Sequence, residues 1–86
     1  MHFDERKIGD YRVFAGALEG PQGDGYIAAL VVQRKEGRVL HEILRDEGLA
    51  CNHRWRSAAE ALAYAMTKGQ EVVRKQMQPQ LQALTC

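Results

Sequence analysis

The chain has 86 residues, with 12 lysines and arginines against 11 acids and a net charge of +1. That length holds one domain and, at about 60% of the unfolded surface buried on folding, leaves an isolated copy with a thin core. Near-neutrality supplies no global attraction for nucleic acid or anionic lipid, no apolar run approaches a membrane span, and two cysteines, Cys51 and Cys86, are too few for a disulfide framework.

The start of the chain, Met1 to Lys7, lacks the apolar core of a signal peptide, which predicts a cytoplasmic protein with both cysteines as free thiols. Residues 1–9 are mixed in charge, with Phe3 and Ile8 as the sizeable apolar side chains, and read as a short leading strand or a loose arm. From Asp10 to Leu18 the pattern alternates. Tyr11, Val13, Ala15 and Ala17 share one face, and Arg12, Phe14, Gly16 and Leu18 share the other, which is strand periodicity. Gly20-Pro21-Gln22-Gly23-Asp24-Gly25 is the strongest turn signal in the chain. A strand rather than a helix follows it, which favours a hairpin loop over a phosphate cradle.

Tyr26 to Arg34 is apolar on both faces: Tyr26, Ala28, Leu30 and Val32 on one, Ile27, Ala29 and Val31 on the other. A strand of that kind is normally central and covered on both sides. Lys35 to Arg38 is a turn. Val39 to Arg45 reads as the next strand, with Val39, His41 and Ile43 on one face and Leu40, Glu42 and Leu44 on the other. Short glycine-bearing turns imply antiparallel hairpins. Asp46 to Arg56 links sheet to helix, with a short extended piece expected around Leu49 to His53.

Ser57 to Met77 is the one substantial helix expected. Ser57 stands three residues before Glu60, the spacing of a capping box, in which each side chain satisfies the other residue's amide. Ala58, Ala61, Leu62, Ala65, Met66, Val72 and Val73 recur at three and four residues and make one apolar stripe. Gly69 interrupts it and reads as a close-contact point or a kink. Arg74 and Lys75 suit the negative pole of the helix dipole, and Pro79 stops continuation.

The expected architecture is therefore α+β. A three-stranded antiparallel meander, four-stranded if the leading segment joins it, is followed by one long C-terminal helix packed on one sheet face. Residues 1–9 are the arm or leading strand, 10–77 a single β-β-β-α domain, and 78–86 a flexible tail. One helix covers only one face, so the apolar residues on the other side of the central strand need a second cover. A twofold homodimer is the simplest one.

The linker from Leu49 to Ser57 holds the densest cluster of reactive side chains. In the plainest reading Cys51 and Trp55 are core residues and His53, Arg54 and Arg56 are solvated. An alternative is a basic, aromatic nucleic-acid contact made by His53, Arg54, Trp55 and Arg56, which the chain's neutrality does not favour. Less supported are zinc held by Cys51, His53, His41 and Cys86, which lack paired ligand spacing, and a thiol nucleophile at Cys51 with His53 as base. No constellation calls for a cofactor or a catalytic residue, so a non-enzymatic interaction or regulatory module is expected.

Gly25 to Val32 followed by Ser57 to Ala65, with Ser57, Glu60 and Ala61 forming a Ser/Thr-x-x-Glu-Ala helix opening, resembles small bacterial domains with a short antiparallel sheet and one helix. The resemblance implies the fold and carries no activity. The element order also resembles the second half of double-stranded RNA-binding domains. This chain departs from them in lacking a leading helix and in placing Ser57, Ala58, Ala59 and Glu60 where they have a lysine cluster.

Overall fold

The computed structural model describes residues 2–76, the side chain of Gln22 apart. Four strands, β1 (His2–Ile8), β2 (Tyr11–Glu19), β3 (Tyr26–Glu36) and β4 (Val39–Asp46), precede a long helix (Ala58–Gln76). The strands form one sheet in the order β1-β2-β3-β4, every pair antiparallel. The leading segment is thus a strand and not an arm: each residue from His2 to Ile8 faces one of β2.

The alternation in β2 and β3 builds the core directly. Val13 faces Val32, Ala15 faces Leu30 and Ala17 faces Ala28 across the ladder, and all six are buried. Period two turns them to one side, here called the inner face. The helix lies over β2 and β3 and reaches β1. It brings Ala61, Ala65, Met66, Val72 and Val73 into the same cluster. Its start follows the predicted cap in part: the Glu60 amide donates to Ser57 Oγ at 3.1 Å. The return bond from the Ser57 amide to the Glu60 carboxylate is not formed among the described residues. Gly69 is a close-contact point in an unbroken helix, against Val13 and Leu30.

Two expectations are corrected. β4 does not alternate evenly, because Val32 faces Leu44 while Gln33 faces Glu42. Ile43 is the extra residue of a bulge, so Leu44 joins His41 and Val39 on the inner side, and Glu42 and Leu40 stay on the outer side. A bulge shifts the two-residue period by one, which strict alternation cannot anticipate. Likewise, the piece around Leu49 to His53 is not extended. Ala50, Cys51 and Asn52 all have positive φ, at 54°, 57° and 63°, and make a left-handed turn. The Asn52 amide closes it on Gly48 O at 3.2 Å, and the His53 amide bonds Ala50 O at 3.2 Å. The turn drops Leu49 into the core. The predicted tail, 78–86, lies outside the described residues.

Candidate functional site

Two regions carry chemistry-bearing side chains. The first is the linker predicted from sequence. After the left-handed turn the chain runs beside the start of β3. The Trp55 amide donates to Tyr26 O at 2.7 Å, and the Tyr26 amide donates to Trp55 O at 2.9 Å. Gly25, at φ 102°, makes room for this: a Cβ there would lie 2.7 Å from Trp55 O. The Trp55 ring packs at 4.7 Å from Tyr64 of the helix, and His53 meets it edge-on at 4.5 Å. Trp55 Nε1 is buried with no hydrogen-bond partner among the described residues. Arg54 turns back on its own loop, with Nη1 donating to Asn52 O at 3.1 Å. Its Nε lies 3.6 Å from Asp24 Oδ1, within ion-pair range but too long for a hydrogen bond.

The structure therefore brings His53 and Trp55 together, half-buries Arg54 and Trp55, and leaves His53 and Arg56 exposed. Both rings against Trp55 belong to the protein itself, so the indole is a packing element with part of its surface already spent. The four residues do not form one outward basic strip. His41 lies elsewhere, at the β3–β4 hairpin, with Nε2 3.6 Å from Glu36 Oε2. No group of three or more His, Cys, Asp or Glu residues converges on a metal-binding geometry among the described residues. The free thiol expected at Cys51 is corrected: there is no free cysteine among those residues. Cys86 lies outside them.

The second region is the outer face of the sheet, opposite the helix. Its centre is apolar: Phe14 and Val31 face each other, as do Gly16 with Ala29 and Leu18 with Ile27. Phe3, 58% exposed, stacks on Phe14 at 5.7 Å. Gly16 and Ala29 form the floor of a groove of about 320 Å³ that runs from Phe3 to Arg45 and Glu47. At its β4 end the Arg45 guanidinium donates to Glu42 at 2.6 Å and to Glu47 at 3.3 Å. The hydrogen bond and charge of Glu42, then of Glu47, raise the Arg45 pKa above its ordinary value. Beyond the groove, toward the β1 side of the same face, Glu5 and Lys7 of β1 and Arg12 of β2 occupy outward positions.

The apolar half of this face is legible in the alternation of β2 and β3. Glu5, Lys7, Arg12, Glu42 and Arg45 stand at its outward strand positions, and only the strand register shows which of them share a row.

Among the described residues, fold and site together define a small α+β domain, a four-stranded sheet whose central strands β2 and β3 are covered by one long helix on the inner face while the outer face carries no layer. The chain matches no family model, no curated protein and no solved structure. Among the described residues no helix is long and apolar enough to cross a membrane.

Proposed function

We propose that this protein is a non-enzymatic, self-associating interaction module whose joint is the outer face of the sheet. The observation that carries the reading is the contrast between the two faces of one strand. On β3, Ala28, Leu30 and Val32 are buried under the helix, while Ile27, Ala29 and Val31, equally apolar, have no layer over them among the described residues. A contiguous apolar surface of that kind marks an interaction site in soluble proteins. The edges of the sheet support association less well. β1 carries Asp4, Glu5, Arg6 and Lys7 in succession and β4 is bulged, two devices that discourage strand-to-strand pairing.

Sedimentation velocity over a micromolar concentration series tests the proposal. A dimer at tens of micromolar is the expected result, and a clean monomer throughout that range overturns it.

A nucleic-acid module built on His53, Arg54, Trp55 and Arg56 receives less support from the geometry, because Arg54 is engaged with its own loop and Trp55 is stacked within the fold. A salt-sensitive shift of mixed oligonucleotides would favour that alternative, since phosphate contacts release counterions.

A further inference from the structure

Given self-association through the outer face, we infer that two copies stack outer face on outer face about a twofold axis that lies parallel to β2 and β3 and passes between them. In this arrangement β1 of each copy lies over β4 of the other, and intermolecular pairs form between Glu5 and Arg45 and between Lys7 and Glu42.

The charged and apolar rows of the face together select that axis. The ladder aligns the outward side chains in rows that cross all four strands. One row reads Lys7, Arg12, Gln33, Glu42. The next reads Glu5, Phe14, Val31, Arg45. The first row is basic at its β1 side and acidic at its β4 side, and the second is the reverse. Taken by corner, Glu5, Lys7 and Arg12 sum to +1, and Glu42, Arg45 and Glu47 sum to −1.

An axis along the strands reverses the strand order of the partner. Lys7 then meets Glu42, Glu5 meets Arg45, Phe14 meets Val31, and Leu18 meets Ile27. A twofold axis lying across the strands would stack β1 on β1 and β4 on β4. Taken through the second row, it sets Glu5 on Glu5 and Arg45 on Arg45. Like charges brought together at an interface select strongly against that pairing. Shifted to lie midway between the two rows, the same axis would set Lys7 on Glu5 and Arg45 on Glu42, but it lays Arg12 on Phe14 and Gln33 on Val31 and takes Leu18 and Ile27 off the partner's apolar centre. Burying polar groups against apolar ones without partners is costly, so that placement is disfavoured as well.

The small residues fit the same axis. Gly16 of one copy faces Ala29 of the other, which lets the two sheets close at the middle, where stacked sheets normally stand about 10 Å apart. The area is adequate. Four strands about 4.8 Å apart and roughly eight residues of about 3.4 Å rise give a face of roughly 500 Å² in projection. Side-chain relief raises its accessible area toward the roughly 800 Å² per partner of a standard interface.

Charge exchange tests the geometry on the full chain. Glu5→Arg alone and Arg45→Glu alone each place like charges in two symmetry-related contacts, so each variant self-associates at least about tenfold more weakly than the wild type. An equimolar mixture of the two variants restores both pairs. It should form a heterodimer of near wild-type affinity, read by sedimentation or native mass spectrometry.

Because Arg45→Glu removes the cation that Glu42 and Glu47 share and sets three acids together at the β4 side of the face, a second exchange, Lys7→Glu mixed with Glu42→Lys, decides the matter if that chain does not fold. If the wild type dimerises and neither mixture associates better than its separate components, the axis is wrong while self-association stands. If the wild type is monomeric and this face takes a different protein or a small apolar ligand, both fall.

Discussion

Gly69 of the helix rests on Val13 of β2 so closely that a Cβ at position 69 would overlap the Val13 side chain and press on Leu30 Cδ1 at 3.0 Å. The helix therefore sits on the sheet at a distance set by the absence of one side chain. By propensity alone Gly69→Ala stabilises a helix interior by about 1 kcal/mol. Here the expected sign is opposite. Overpacking against Val13 and Leu30 costs roughly 1–3 kcal/mol, so the variant should melt several degrees lower, and a double-mutant cycle with Val13→Ala should show favourable coupling. A melting temperature at or above that of the wild type would show that the helix can lift without loss.

The left-handed turn gives a second prediction. Ala50 holds a positive φ that costs an L-residue about 1–2 kcal/mol relative to the right-handed region, and glycine escapes that cost. Part of the gain is offset by the greater freedom of the unfolded chain. Ala50→Gly should therefore raise stability by about 0.5 kcal/mol in urea unfolding. A loss of stability there would mean that the turn is not left-handed in solution.

Gly25 offers a spectroscopic test, because Trp55 is the single tryptophan of the chain. Gly25→Ala introduces a Cβ against Trp55 O at a position where φ is already positive. The two Tyr26–Trp55 backbone hydrogen bonds should break, at a cost of about 1–3 kcal/mol. Trp55 emission should shift to the red in the folded variant as the indole leaves Tyr64. Unchanged emission with unchanged stability would contradict the docking of the linker on β3.

The helix start separates two side chains that the sequence treats as a pair. Ser57 accepts the Glu60 amide, so Ser57→Ala should cost about 1 kcal/mol. Glu60 makes no return bond, so Glu60→Gln should change stability only slightly. Thermal melts of the two variants give the comparison, and equal losses would indicate a complete capping box.

On the outer face, Phe14→Asp should leave the circular dichroism spectrum of the monomer intact and abolish self-association. Phe14 touches Phe3 and the groove, not the inner core. A Phe14→Asp chain that sediments as a dimer would move the joint to another surface.

Much of this was determined by local pattern. Alternation in Tyr11 to Leu18 and Tyr26 to Arg34 sets two strands and tells which side chains share a face, because successive Cβ atoms point to opposite sides of a strand. The three- and four-residue spacing from Ala58 to Val73, opened by Ser57, sets the helix and its buried stripe. The shortage of cover on β3 follows from those patterns before any coordinates.

Other features depend on contacts between residues far apart in the chain. The bulge at Ile43, the left-handed turn at Ala50 to Asn52 and the seating of Gly69 on Val13 each arise where a segment must fit a neighbour that local periodicity does not see. The charged rows of the outer face, Glu5 beside Phe14 and Val31 beside Arg45, exist only once four strands are in register. A row is made by hydrogen bonding between strands, and no single stretch of sequence contains it.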